Sequence, residues 1–213
     1  RIIPTPEAAV RASGLEAGDF DFVMNLSRDD YGRLEGNPDL QLILQFQGSR
    51  DIVLNNKEGP FTDKRIRKAF QAALSVEELL VANYSDPRFF RVDNGLWPKE
   101  TVWWTDAGSH EYNQKNPDKA RQLLQEAGYD GTPIRWLATE DEKLPVAAKQ
   151  QLENAGFVVQ LDIVDWATLL SRRNDPTVWE VFTTGFSIQP EPTQYPVFDC
   201  TWPAFWCDEK KNE

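Results

Sequence analysis

Histidine and cysteine are nearly missing from this chain, whose 213 residues include one His and two Cys. That scarcity removes much of the chemistry that α/β proteins use. A zinc site needs more ligands than Cys200, Cys207 and the sequence-distant His110 bring. His110 itself lies in a polar stretch, Gly108-Ser109-His110-Glu111, where a solvated imidazole is expected and not a catalytic base. The nucleophile pattern Gly-x-Ser-x-Gly fails at its last position, because Gln189 follows Gly185-Phe186-Ser187-Ile188. Glycine-rich phosphate loops are absent as well. The acidic triplet Glu140-Asp141-Glu142 lacks the alternating oxygen ligands of a calcium loop and reads as a solvated turn. The chain is therefore expected to carry no catalytic residue, no metal and no cofactor.

Long apolar runs are missing too, and none approaches the roughly 18 residues that a membrane-spanning helix needs. Positive charge is also short. Lys and Arg number 23 against 34 Asp and Glu, for a net charge of −11. That balance argues against a nucleic-acid partner, which wants a basic face. It fits a solvated acidic surface or attraction of cationic ligands. Cys200 and Cys207 flank Thr-Trp-Pro-Ala-Phe-Trp. A disulfide across so short a loop stabilises by roughly 2–2.5 kcal/mol and requires an oxidising compartment. Two buried free thiols are the alternative.

What is present is a repeated local grammar. Apolar-periodic helices end at Ala-Gly and an aromatic residue leads onward, at Gly18, Gly128 and Gly156. Helices are predicted over residues 6–15, 27–34, 63–74, 76–84, 117–127, 144–155 and 166–173. Pro117 stands at the first-turn position that proline prefers. Strands are predicted over 20–26, 134–139, 157–164 and 179–188, and 40–54 reads as an extended run bent near Gly48. The strand–helix–strand series over 134–164 predicts a parallel pair. The fold class expected is α/β, a single lobe over 1–213 with a mixed, partly parallel sheet flanked by helices. Residues 85–116, rich in Pro, Gly and aromatics, form a long loop of the kind that is functional or packed over a surface.

The most informative stretch is 55–74. Asn55, Gly59-Pro60-Phe61, Asp63, Arg65-Ile66-Arg67, Ala69-Phe70 and Ala73 fall in a fixed pattern. Physically this is a strand end, a turn and a helix start. Thr62 is read as the cap, and Ile66, Ala69, Phe70, Ala73 and Leu74 make an apolar stripe. As a pattern it resembles the signature of the family 5 extracellular solute-binding proteins, the oligopeptide-, dipeptide- and nickel-binding receptors of ABC importers. The resemblance runs from Pro4 to about Asn212. It implies the second lobe of a two-lobe periplasmic binding protein (type II, cluster C), with 189–213 returning to a missing first lobe. Arg1, in extended register, and Glu213, in a polar run that reads as an unfinished helix, are then expected to be cuts. The resemblance further implies a monomer located in the periplasm or outside the cytoplasm, with or without a lipid anchor, that binds a peptide or similar small polar solute. It would deliver that solute to a membrane permease. A scaffold or chaperone-like relative, or an α/β enzyme, is the alternative.

Ligands of α/β sheets sit at the carboxyl ends of strands. The segment Thr184-Gly185-Phe186-Ser187-Ile188-Gln189-Pro190-Glu191 is the best candidate, against a reading in which Phe186 is simply core. In the resembled family this position reads roughly Gly-Trp-x-x-Asp-x-x-Asp-Pro, and the first aspartate receives the α-ammonium of a peptide. Gly185-Phe186 and Glu191-Pro192 match its ends, one residue short, so that Gln189 stands where the anchoring acid is expected. No strong dependence on a free α-amine follows, unless Glu191 takes the ammonium. A basic residue near the end of 165–173 meets a ligand carboxylate in relatives. Arg173 is the candidate, against surface pairing of Arg172 and Arg173 with Asp175 or Glu180. Trp166 is read as core. Asn94 and Trp97, in Asn94-Gly95-Leu96-Trp97-Pro98, match a family segment that partly reaches the cleft, and one or two of the loop aromatics are expected there.

Overall fold

A computed structural model describes residues 1–46, 48–140 and 142–207. Within them the chain divides into two compact units, Arg1–Phe46 and the part from Gly48 onward. The first unit has two helices, α1 (Ala8–Ala17) and α2 (Arg28–Leu34). Gly18 ends α1 in the left-handed conformation, at φ 77°. Ser27 caps α2 by accepting the Asp30 N–H at 3.0 Å. Residues 20–26, expected as a strand, form none. The Arg11 guanidinium donates to the Asn25 carbonyl at 2.9 Å, Asn25 turns to φ 58°, and Phe20 folds back over Gly14.

The second unit contains β1 (Gly48–Leu54), α3 (Lys64–Ala73), α4 (Val76–Tyr84), α5 (Pro117–Ala127), β2 (Ile134–Ala138), α6 (Leu144–Asn154), β3 (Val159–Ile163), α7 (Trp166–Arg172) and β4 (Val181–Ser187). The sheet runs β1-β4-β2-β3. β2 pairs in parallel with both β3 and β4, and β1 is antiparallel to β4. The fold is thus mixed α/β, with the predicted β2–α6–β3 unit in parallel register. Of the extended run 40–54 only Gly48–Leu54 is strand, the stretch that finds β4 as its partner.

The two sheet faces differ. One carries Ile134, Trp136 and Val181 against Phe70 of α3, Leu124 of α5 and Leu152 of α6. Among these buried groups the Trp136 indole donates to Thr183 Oγ1 at 2.9 Å. The other face carries Val53, Leu137 and Phe182 against Leu169 of α7, Trp179 and Ala204. Between strands, the buried Glu180 carboxylate accepts from the Arg135 backbone N–H at 2.7 Å and from its guanidinium at 2.6 and 2.9 Å. No described helix is long and apolar enough to cross a membrane.

The 55–74 pattern now has a physical cause. Asn55 is fully buried. Its Nδ2 donates to the carbonyls of Pro176 (2.7 Å) and Trp179 (2.9 Å), and its Oδ1 accepts the N–H groups of Lys57 (3.0 Å) and Glu58 (3.1 Å). Gly59 adopts φ 71°, ψ −162°, a combination that only glycine adopts readily. Thr62 is not the cap. Pro60–Thr62 winds into a 3-10 turn in which the Thr62 hydroxyl donates to the Gly59 carbonyl, so the α-helix starts later and Asp63 caps it. Asp63 accepts the Arg65 N–H at 2.7 Å and grips its guanidinium, which holds the carboxyl below the usual range. The stripe Ile66, Ala69, Phe70 and Ala73 is buried, and Leu74, also buried, ends the helix.

Beyond β4 the chain runs through two 3-10 turns, Pro192–Gln194 and Pro196–Phe198, into a loop closed by the Cys200–Cys207 disulfide. The Asn56 backbone and side-chain amides both donate to the Ala204 carbonyl, at 3.1 and 2.9 Å, and fasten that loop beside β1. Asp141 and the polar end 208–213, with its expected unfinished helix, lie outside the described residues.

Two outcomes follow. Asn55→Ala leaves buried carbonyls and amides unsatisfied and should cost about 3 kcal/mol. Asp63→Ala removes one cap and should cost about 1 kcal/mol. Denaturant midpoints will rank them, and an equal or reversed order contradicts this account. In protein prepared under oxidising conditions, alkylation without reductant should leave the intact mass unchanged, because Cys200 and Cys207 are bridged. Two alkylated thiols would contradict it.

Candidate ligand-binding edge of the sheet

The parallel strands β2, β3 and β4 finish at one edge, where antiparallel β1 begins. A pocket of about 380 Å³ opens there, lined by Arg50, Thr139, Glu140, Glu142, Val164, Asp165 and Trp166. Glu142 is no solvated turn residue. Its side chain is 5% exposed and accepts from Arg50 Nη1 at 2.8 Å, because the guanidinium compensates the buried charge. Trp166, expected in the core, is 49% exposed. It stands at the first position of α7, which points only Leu169 fully inward.

At the end of β4 the expected residues fall into different environments. Thr184 is buried, Phe186 and Gln189 are half-buried, and Ser187 and Glu191 are exposed. Gly185 faces Arg50 across the strand pair, and a Cβ there would lie 2.9 Å from the Ser49 carbonyl. Close approach of β1 therefore suffices to require this glycine. The Phe186 ring packs against Tyr195 at 5.8 Å and Trp202 at 5.4 Å. Tyr195 in turn meets Trp97 edge-on at 5.0 Å, and its hydroxyl accepts the Gln189 N–H at 3.3 Å. The structure thus brings Trp97, Phe186 and Gln189 together around Tyr195. Asn94 stays within its own loop, where its amide donates to the Thr105 carbonyl at 3.4 Å.

Arg172 and Arg173 do not pair with Asp175 or Glu180. Arg172 bonds Asp162 at 2.5 Å, Glu180 is taken by Arg135, and Asp175 accepts from the Thr177 N–H and hydroxyl. The Arg173 guanidinium lies over Phe182 at 5.9 Å and Trp202 at 5.7 Å, where burial lowers its pKa. Arg173 and Phe186 therefore share Trp202.

Sequence reasoning missed Tyr195, Trp202 and Asp51. The rings gave only a general signal, the aromatic density of a proline-rich tail. Asp51 gave a clearer one, a lone acid before the apolar run Ile52-Val53-Leu54. Its carboxylate accepts from Ser49 Oγ at 2.7 Å, yet burial dominates and pushes its pKa up.

Comparison with known proteins fits this architecture. The chain is 28% identical over 218 residues to the probable peptide ABC transporter periplasmic-binding protein y4tO of Sinorhizobium fredii, covering 92% of this chain and 38% of that protein. It is 28% identical over 223 residues to the oligopeptide-binding protein AppA of Bacillus subtilis, covering 93% of this chain and 39% of that one. The chain thus spans less than two-fifths of the length of these curated relatives. The solved structure of B. subtilis AppA in complex with a nonapeptide superposes with a TM-score of 0.66 at 23% identity, over 96% of this chain and 45% of that chain. The substrate-binding protein CtaP of Listeria monocytogenes superposes with a TM-score of 0.74 at 16% identity, over 94% of this chain and 42% of that chain. The family pattern described as bacterial extracellular solute-binding proteins, family 5 Middle, matches residues 1–203. The chain belongs to the family 5 extracellular solute-binding proteins of bacteria.

Proposed function

We propose that this segment is the second lobe of an ABC-importer receptor. It captures a peptide or similar small polar solute in a cleft between two lobes and does no catalysis. The observation that carries the reading is the aromatic wall at the sheet edge, where Phe186, Tyr195 and Trp97 stand beside the ends of the parallel strands. Flat rings beside exposed strand-end backbone suit a peptide, which offers apolar side chains and amide groups together. Thr184, Gly185, Ser187 and Gln189 would supply hydrogen bonds, and Arg173, held desolvated on its rings, would meet a ligand carboxylate. AppA, similar in sequence and fold, holds a nonapeptide in its solved structure. In this reading the ligand closes two lobes about a hinge, and the closed monomer docks on its membrane permease. A place outside the cytoplasm, periplasmic or lipid-anchored, agrees with the Cys200–Cys207 bridge.

In the two-lobe receptor, Phe186→Ala should weaken peptide binding at least about fivefold, the loss of a moderate anchor. Calorimetry with a captured peptide will measure it, and the melting temperature will show whether the ring network survives. Unchanged affinity in a folded variant argues against recognition at Phe186. Residues 1–213 alone should bind the same peptide far more weakly than the two-lobe protein, since closure is lost. Submicromolar affinity of the isolated segment would overturn the half-site reading.

A further inference from the structure

The disulfide-closed loop sets its rings against the residues of the ligand edge. Cys200 and Cys207 are exposed, whereas Pro203 and Ala204 between them are buried. Trp202 packs on Phe186 at 5.4 Å and on Phe182 at 5.9 Å, and the Arg173 guanidinium lies over the same indole at 5.7 Å. Phe205 stacks on Trp179 at 6.3 Å, and the Trp179 indole donates to the Arg173 carbonyl at 3.0 Å. Trp206 meets Phe198 at 6.0 Å, and the Phe198 ring stacks on Trp97 at 6.3 Å. The loop therefore supports Arg173 twice, at its guanidinium through Trp202 and at its backbone through Trp179.

Arg173 depends on that support. Its Nε is buried without a hydrogen bond, and among the described residues no carboxylate pairs with its guanidinium, which rests on Phe182 and Trp202 alone. Arg172 beside it is held by Asp162 instead. A guanidinium placed by ring faces keeps its donors for a solute, but no polar bond fixes its direction. Phe186 is in the same position, since its ring leans on Tyr195 and Trp202.

The loop conformation is itself constrained. Phe205 takes φ 52°, a left-handed conformation that a bulky aromatic residue seldom adopts. Two constraints flank it, the Asn56 bonds to the Ala204 carbonyl and the bridge at Cys207. Opening the bridge leaves only Asn56, and the rings of Trp202 and Phe205 gain freedom on either side of Ala204. The other sheet face does not depend on them. Its buried core, formed with α3, α5 and α6, contains no residue of the tail among those described.

We propose that Trp202, held by the Cys200–Cys207 bridge, is a positioning residue of the ligand edge that sets Phe186 and Arg173 together, so that reducing the bridge loosens the hold on the solute. The inference rests on the receptor reading above and adds a regulation to it. In the reducing step a dithiol attacks one sulfur of the exposed bridge, the S–S bond breaks, and two electrons and two protons pass to the cysteines while the dithiol closes to its own disulfide.

The test uses the two-lobe receptor and an equimolar pool of short peptides, half with a free C-terminal carboxylate and half amidated there. Capture followed by mass spectrometry reads the amount bound and the ratio of carboxylate to amide. Oxidised wild type should favour the carboxylate by about tenfold. Trp202→Ala should bind at least about fivefold less and bring the ratio close to one, because Phe186 and Arg173 lose their direction together. Trp202→Phe, which keeps a ring, should recover most of the ratio. Wild type reduced with dithiothreitol should bind about threefold less with its melting transition retained, since Asn56 still holds Ala204. A Cys200→Ser/Cys207→Ser variant should match the reduced protein and ignore the reductant.

An unchanged ratio in Trp202→Ala overturns the positioning role, and the reduced wild type carries the same comparison if that variant does not fold. Binding indifferent to reduction, once thiol titration shows the bridge open, overturns the regulation. Loss of the melting transition on reduction does so too, since the bridge would then hold the fold and not the edge. A wild type that binds both peptide forms equally removes Arg173 from the edge and overturns the proposal. A wild type that holds no member of the pool overturns the peptide-receptor reading itself, and is told apart in that way.

Discussion

One buried amide, that of Asn55, holds the second unit together. Its nitrogen donates to two carbonyls of the run that leads into β4, and its oxygen accepts two N–H groups of the turn that leads into α3. The end of β1, the start of β4 and the approach to the main core helix are thereby fixed by four hydrogen bonds from one side chain. Its neighbour Asn56 extends the same junction to the bridged loop through Ala204. No apolar residue could serve here, since each backbone group would be left buried and unpaired. Glu180 adds a second clamp next door, tying β4 to Arg135 of β2. Everything at the far edge inherits its register from this end.

That register decides which side chains meet. Because β1 is locked to β4 pair by pair, Asp51 must face the same side as Phe182 and Phe186, and Arg50 the other. The sheet thereby separates a dry face, filled by α3, α5 and α6, from a face covered by aromatic rings and a short disulfide-closed tail. The ring-covered face is where polar groups tolerate partial burial. Arg173 rests on two rings, Asp51 on a hydroxyl and an amide, and Gln189 on a phenol.

The elements with local causes were legible in the sequence. The stripe on α3, Pro117 at the start of α5, and the β2–α6–β3 unit all express short-range periodicity or capping, and the structure has them. Thr62 and Asp63 are adjacent and both suit a cap, and the 3-10 turn that engages the Thr62 hydroxyl leaves the role to Asp63. Residues 20–26 had the composition of a strand but no partner strand, and composition cannot supply one. The candidate site was visible only as a location. Phe186, Tyr195 and Trp202 come from β4 and the tail just after it and Trp97 from the distant long loop, and their contacts depend on how tail and loop fold back, which no local pattern encodes. The burial of Glu142 was hidden for the same reason, since its partner Arg50 lies 92 residues away.

β1 and β3 are the outer strands of the described sheet. An outer strand presents a row of amides and carbonyls to which another chain can add. β3 carries Asp162, paired to Arg172, as a charged deterrent. β1 has Arg50 and Asp51 and no other charge, and after them only Ile52, Val53 and Leu54 remain. A neutral β1 would be a short, apolar, β-branched segment of the kind that seeds cross-strand aggregation. Resistance to self-association along this edge therefore resides in one adjacent pair of side chains, so a substitution that neutralises either of them changes how safely the protein can be made in quantity.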